Sequence, residues 1–227
     1  AARRTAWGKF INAGQTCVAP DYVFVHEDQR AEFVEAVRVA VKRFYGDCPY
    51  ESPDYPRIVH REGTERLARL MQSSGQVVVG GEMNVEEKYI APTVLVDVES
   101  DSPIMREEIF GPILPVLTYR EIDEVIRFVN EREKPLALYY FGPRQEAREV
   151  LNRTSSGGAC VNDTIVHLAN PRLPFGGVGM SGVGKYHGKA SFELFSNLRS
   201  VVKSVTFFDN YFRYTPYKHL NLLKKFM

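Results

Sequence analysis

Short runs of β-branched and aromatic residues alternate along most of the chain with longer segments that carry apolar residues at helical spacing. The strand-like runs cover residues 22–25, 77–79, 89–98, 136–141 and 159–161. The helix-like segments cover residues 1–7, 28–46, 64–73, 122–129 and 145–153. Alternation of this kind predicts an α/β fold, in which helices cover the faces of a sheet. The first segment lacks an initial Met and begins in mid-helix, so we expect a piece of a longer chain.

The alternation stops at residues 171–188, which hold six glycines and two prolines. A segment of this composition cannot form a regular element, and a loop of this length inside a domain is usually functional or interfacial. Beyond it, residues 198–205 are predicted to form one more strand. The tail, residues 207–227, is aromatic and basic and has no clear period.

The charge and cysteine content exclude several classes of protein. The 29 Lys and Arg residues nearly balance 28 Asp and Glu residues, which argues against a nucleic-acid partner. No apolar run reaches the ~20 residues that a membrane-spanning helix needs. Three cysteines at long spacings do not make a disulfide framework, which fits a reducing compartment. We therefore expect a globular protein of the cytoplasm.

Cys17 is the first candidate for chemistry, because it follows a predicted helix end in a turn that contains Gly14. A loop leaves the sulfur accessible, a thiolate is nucleophilic, and backbone N–H groups in a tight turn can bind an oxyanion. From composition alone, a small buried cysteine is the favoured alternative. Cys48 and Cys160 lack this context and are predicted to be structural.

Three segments resemble, in the right order, motifs of the aldehyde dehydrogenase superfamily. Residues 10–19 are similar to its active-site cysteine signature, and residues 107–112, Glu-Glu-Ile-Phe-Gly-Pro, to its cofactor motif. Residues 174–182 are similar to its carboxy-terminal glycine-rich motif, and the resemblance extends from residue 1 to about residue 205. Three ordered motifs are far more specific than a lone glycine-rich match.

Three shorter segments resemble the class 3 branch of that superfamily, which includes medium-chain, aromatic and fatty aldehyde dehydrogenases. They are Cys-Val-Ala-Pro-Asp-Tyr, which starts at Cys17, residues 133–139 and residues 185–189. The implied fold is the catalytic domain, a mostly parallel sheet with helices on both faces plus an oligomerisation strand.

The resemblance also implies a division of the chain. The catalytic domain would cover residues 1–165, the glycine-rich active-site loop and oligomerisation strand residues 166–205, and a tail residues 206–227. The dinucleotide-binding domain, the glutamate general base and the oxyanion-hole asparagine of the family lie upstream and are absent here. We therefore expect residues 1–227 alone not to turn over aldehyde.

The chemistry that the resemblance implies is oxidation of an aldehyde to a carboxylate with NAD or NADP. Cys17 would attack the aldehyde carbon, hydride would pass to the cofactor, and water would hydrolyse the resulting thioester. Glu108 matches the glutamate that binds the nicotinamide ribose, and Phe110 the aromatic residue near the nicotinamide. For these two, an exposed acid at a helix start and a core Phe are the structural alternatives.

The implied substrate pocket contains Trp7, Tyr186 and His187. Trp7 lies ten positions before Cys17, and its ring would suit an apolar aldehyde; a core position is the alternative. The class 3 Tyr-His pair belongs to the pocket, with a structural histidine as the alternative for His187. No metal site is expected, because the remaining histidines lack acidic or thiol neighbours in a ligand pattern. They are His26, His60, His167 and His219.

The resemblance implies a homodimer, paired through residues 198–205. Two other readings remain open: a catalytically inactive truncated module that associates with full-length subunits, and a cysteine hydrolase that uses Cys17 and His187. NAD versus NADP and the aldehyde chain length are left undecided. The basic and aromatic end at residues 224–227 leaves peripheral membrane contact open as well.

Overall fold

The computed structural model describes residues 1–209 and 211–216. It divides into two compact units, Ala1–Leu194 and Phe195–Met227. The helices of the first unit are α1 (Ala2–Phe10), α2 (Arg30–Tyr45), α3 (Arg61–Gln72), α4 (Ile122–Asn130), α5 (Arg144–Arg153), α6 (Val166–Ala169) and α7 (Gly188–Leu194). Its strands are β1 (Val23–His26), β2 (Gln76–Val79), β3 (Met83–Asn84), β4 (Tyr89–Ile90), β5 (Thr93–Val96), β6 (Ile113–Tyr119), β7 (Ala137–Tyr140) and β8 (Gly158–Val161).

The main sheet has four strands in the order β1-β6-β5-β2. β1 and β5 both run parallel to β6, whereas β2 pairs antiparallel with β5. β7 and β8 form a separate parallel pair, and β3 and β4 a short antiparallel one. The α/β prediction, with mostly parallel pairing, is confirmed.

The central strands are buried on both faces, because successive residues of β5 and β6 enter two different clusters of core side chains. Val94 and Leu114 pack in a cluster that contains Val37 of α2. Their neighbours Leu95 and Ile113 pack in the other cluster, which contains residues of α3. Side chains that alternate along a strand point to opposite faces of the sheet. The sheet therefore carries helices on both faces, as predicted.

Two local predictions differ from the structure. The extended segment at residues 89–98 is split into β4 and β5, because Pro92 between them has no N–H for a ladder. The strand predicted at residues 198–205 is wrong for this chain by itself, since those residues form no regular element. A strand requires a hydrogen-bonded neighbour, and nothing in the described ranges pairs with this segment. Its pairing across a dimer stays a prediction.

The glycine-rich stretch is irregular, as predicted, except for one turn of 3₁₀ helix at Gly179–Ser181. Phe175 and Tyr186 form an antiparallel bridge that closes the loop at its base. A Cβ on Gly177 would lie 2.1 Å from the Ser181 carbonyl oxygen, so only glycine permits this close approach. In the part of the chain that is described, no helix has the length and apolar character that a bilayer crossing requires.

Candidate active site

The turn that carries Cys17 begins where α1 ends. A short 3₁₀ segment, Ile11–Gly14, follows Phe10, with left-handed backbone at Asn12 (φ 52°) and Ala13 (φ 49°). Cys17 comes three residues later and its thiol is exposed. The backbone N–H of Cys17 has no hydrogen-bond partner among the described residues. The turn thus presents an exposed sulfur in the same residue as an unpaired backbone N–H, a group of the kind that can donate to an oxyanion.

Gln15 joins this turn by hydrogen bonds to residues 57–59. The sequence alone did not predict this role for Gln15. Its Nε2 donates to the carbonyls of Asn12 and Arg57, both at 3.1 Å. Its Oε1 accepts from the Val59 N–H at 2.9 Å. Both ends of the amide are engaged, so the position of Cys17 two residues later depends on it.

Replacing Gln15 with leucine is expected to lower the free energy of unfolding by about 1–2 kcal/mol, because the Arg57 carbonyl and the Val59 N–H lose their partner. Gln72→Leu is the matched control, since Gln72 is exposed at the end of α3. Urea denaturation of the two variants measures the difference. Equal midpoints would show that Gln15 does not hold the turn.

Because β1 and β6 pair in parallel, the cofactor-motif residues 107–112 lie at the same end of the sheet as the Cys17 turn. Val23 pairs with Val116, so the segments that lead into the two strands lie side by side. One segment carries Cys17 and the other residues 107–112. They meet backbone to backbone at Gly14, where a Cβ would lie 2.2 Å from the Gly111 carbonyl oxygen.

Glu108 and Phe110 are both exposed in this second segment. The Phe110 side chain is 42% exposed on a backbone of φ 47°. The neighbouring Glu107 pairs with Arg66 at 3.4 Å, whereas the Glu108 carboxylate has no side-chain partner among the described residues. Desolvation, and then the nearby Asp21 charge, raise the pKa of Glu108. An unpaired carboxylate beside an exposed ring fits a vicinal diol and a flat heterocycle, the groups of a nicotinamide riboside.

Lys9 and Asp21 also link the two segments, although the sequence gives no sign of a role for either residue. The Lys9 Nζ lies 3.9 Å from the Asp21 Oδ1. The same Oδ1 accepts the N–H of Ile109 at 3.1 Å. The segment with Cys17 therefore holds the backbone of the segment with Glu108 through a side chain as well.

A row of aromatic rings connects the Cys17 turn to the glycine-rich loop. The Tyr139 hydroxyl donates to the Val18 carbonyl at 2.6 Å, and burial raises the pKa of Tyr139. Its ring contacts His167 with centroids 5.9 Å apart, and His167 contacts Phe175 at 6.2 Å. Phe175 in turn packs against two predicted pocket residues, Tyr186 at 5.8 Å and His187 at 5.6 Å.

Trp7 does not take part in this row. It lines a separate surface cavity of about 290 Å³. The other lining residues are Arg3, Arg4, Arg43 and Phe44. Tyr186 and His187 are thus joined to the Cys17 turn only through Phe175, His167 and Tyr139, and Trp7 lies elsewhere on α1, partly exposed.

Two sequence predictions are wrong: that His167 has no thiol neighbour, and that Cys48 is buried. The Cys160 Sγ lies 3.2 Å from the His167 Nδ1, so His167 does have a thiol neighbour. The two come together because β8 and α6 adjoin in the fold. Burial raises the pKa of Cys160 and lowers that of His167, which makes this a neutral, structural contact. Cys48 is exposed rather than buried.

His219 lies outside the described residues, as do residues 224–227. Among the described residues, no three His, Cys, Asp or Glu side chains gather in a way that could hold a metal ion.

Comparison with known proteins gives the class. The profile of the Aldehyde dehydrogenase family matches residues 1–201. Aldehyde dehydrogenase family 3 member B1 of Rattus norvegicus is 51% identical over 224 residues, 97% of this chain and 48% of that protein. The mouse protein named "Aldehyde dehydrogenase, dimeric NADP-preferring" is 51% identical over 201 residues, 88% of this chain and 44% of that one. The solved substrate-bound Staphylococcus aureus AldH has a TM-score of 0.92 at 47% identity, over 99% of this chain and 50% of that chain.

The structure is that of an α/β protein in which a turn with an exposed cysteine and a loop with an exposed carboxylate lie side by side. By its sequence, the chain belongs to the aldehyde dehydrogenase family. The similarity to family 3 proteins confirms the class 3 resemblance. The chain spans about half the length of the curated relatives it matches.

Proposed function

We propose that this chain supplies the nucleophile and part of the cofactor site for the oxidation of an aldehyde to a carboxylate. The observation that carries the proposal is the backbone contact of Gly14 with Gly111, which holds the exposed Cys17 thiol and the exposed Glu108 carboxylate at one edge of the sheet. The family and its aldehyde dehydrogenase relatives support the reaction class.

In this proposal the Cys17 sulfur bonds to the aldehyde carbon, and the Cys17 N–H donates to the oxygen that becomes negative. The Glu108 carboxylate accepts hydrogen bonds from the two ribose hydroxyls, and the Phe110 ring packs against the flat end of the cofactor. A nicotinamide dinucleotide, when bound, supplies the two-electron acceptor for the hydride. Water then cleaves the thioester, so that aldehyde, oxidised dinucleotide and water give carboxylate, reduced dinucleotide and two protons.

The preference for NAD or NADP is left open, although a mouse relative is named as NADP-preferring. The same name calls that relative dimeric, which supports a homodimer for this chain too. The aromatic row from Tyr139 to Tyr186 and His187 supports an apolar or aromatic aldehyde as substrate.

The test uses a hybrid chain, in which the half of the Staphylococcus aureus AldH that this chain does not match precedes residue 1. The hybrid is expected to form reduced dinucleotide from benzaldehyde or octanal, while residues 1–227 alone are not. Absence of turnover by a folded hybrid would contradict the proposed function.

Glu108→Gln in the hybrid is expected to weaken the binding of reduced dinucleotide about tenfold, because a neutral amide accepts the ribose hydrogen bonds more weakly. Glu107→Gln is the matched control, because Glu107 pairs with Arg66 and is not assigned to the cofactor. Fluorescence titration with NADH and NADPH measures both variants. A larger loss in Glu107→Gln than in Glu108→Gln would reassign the carboxylate.

A further inference from the structure

Lys9 is completely buried in α1, with none of its side chain exposed. Its Nζ has no hydrogen-bond partner among the described residues, and its nearest countercharge is the Asp21 Oδ1 at 3.9 Å. Desolvation lowers its pKa to about 8. An apolar side chain of similar volume would pack here without that electrostatic cost, so packing alone does not explain a lysine.

The carboxylate next to Lys9 holds the cofactor segment from one side. The Asp21 Oδ1 accepts the Ile109 N–H at 3.1 Å. From another element, Arg66 of α3 donates to the Glu108 carbonyl at 3.2 Å and to the Ile109 carbonyl at 2.5 Å. The backbone around Glu108 is therefore fixed at one N–H by an anion and at two carbonyls by a cation.

We propose that Lys9 and Asp21 are positioning residues for Glu108. Desolvation raises the pKa of Asp21, and the Lys9 ammonium opposes that rise by favouring the ionised carboxylate. The carboxylate holds the Ile109 amide, and this amide sets the direction of the preceding Glu108. Neither residue is assigned a contact with substrate or cofactor. The inference rests on the proposed function, in which Glu108 binds the nicotinamide ribose.

If the proposal is correct, the affinity for the dinucleotide depends on pH through the charge state of Lys9. The charged groups that face this lysine are Asp21 and Glu108, and Arg66 faces Asp21 in turn. As pH rises through about 8, Lys9 loses its proton and Asp21 loses its counterion. Affinity for the dinucleotide should then fall.

Stability should change in the opposite direction. The folded-state pKa of Lys9 is about 8 and the value for a free lysine is 10.5, so between them the unfolded chain binds more protons than the folded one. This group therefore makes the folded chain more stable as pH rises through that window. A merely structural lysine would move stability alone.

The experiment compares Lys9→Met with Lys42→Met, because Lys42 is an exposed lysine of α2 paired with Asp47. Titration of the hybrid with NADH and NADPH should show affinity weakened about five- to tenfold in Lys9→Met and unchanged in Lys42→Met. Exchange of the Ile109 amide, measured in residues 1–227, should be about tenfold faster in Lys9→Met. The fall in affinity above pH 8 should be present in wild type and absent from Lys9→Met.

The outcomes separate the inference from the proposed function. If the wild-type hybrid binds dinucleotide and Lys9→Met binds it equally well, with unchanged exchange of Ile109, the positioning role is overturned and the proposed function stands. A wild-type hybrid that folds but binds no dinucleotide overturns both. If Lys9→Met does not fold, the wild-type titration decides: affinity that is flat through pH 8 overturns the positioning role, and a fall supports it. Lys9→Met/Asp21→Asn, which removes both charges and keeps an acceptor for Ile109, should recover part of the affinity.

Discussion

Cys17→Ser is expected to lower aldehyde oxidation by the hybrid chain at least about a thousandfold, because a serine hydroxyl is far less acidic than a thiol and a much weaker nucleophile. Binding of NADH or NADPH should change less than twofold, since the assigned cofactor contacts are those of Glu108 and Phe110. Cys48→Ser is the matched control, because Cys48 is also an exposed free thiol. Rates of dinucleotide reduction at saturating aldehyde measure both variants.

Retention of the rate in Cys17→Ser would exclude this residue as the nucleophile. The same two variants, together with His187→Gln, test the cysteine hydrolase alternative with an ester and a peptide in the absence of dinucleotide. Peptide hydrolysis that depends on both Cys17 and His187 would favour that alternative. The structure supports it weakly, because the contacts of the His187 ring are with Phe175 and Tyr186 rather than with the thiol.

Gly14→Ala is expected to lower the free energy of unfolding by about 3 kcal/mol or more and to remove activity from the hybrid. A Cβ there would lie 2.2 Å from the Gly111 carbonyl oxygen, and backbone at that distance cannot move aside cheaply. The left-handed backbone of Gly14, φ 72°, adds its own penalty for any other residue.

Gly184→Ala separates those two contributions. Gly184 has a similar φ, 78°, but a Cβ there would meet no atom within 4 Å. Its substitution should therefore cost only about 1 kcal/mol, the conformational part. Thermal or urea denaturation of both variants gives the steric part by difference. Equal losses would mean that the contact with Gly111 is not tight.

The sequence predicted those parts of the fold that are encoded locally. Helical spacing of apolar residues located α2 and α3, and continuous apolar runs located β5 and β7, because both patterns reflect burial of nearby side chains. The segment at residues 198–205 has the same strand-like composition and forms no strand here. Composition records which side chains suit a strand, but not whether a neighbouring backbone is present to pair with it.

The sequence predicted which residues belong to the candidate site, but not how those residues are arranged in space. Cys17, Glu108 and Phe110 were chosen through a family resemblance, and their roles remain proposals. The sequence could not predict the proposed role of Lys9 and Asp21, because that role depends on a contact between Asp21 and Ile109, which is 88 positions away. A lysine flanked by Gly8 and Phe10 shows no sign in the sequence that its ammonium is buried.

The pairing of β1 with β6 has a consequence for the order in which the chain can fold. β1 is an edge strand of the main sheet, and its only neighbour in the described sheet is β6, whose first paired residue is Val116. During synthesis, Cys17 leaves the ribosome about 100 residues before that neighbour does, and non-local pairing of this kind is slow. During this interval the turn that bears Cys17 lacks the segment around Gly111 against which Gly14 packs in the folded chain.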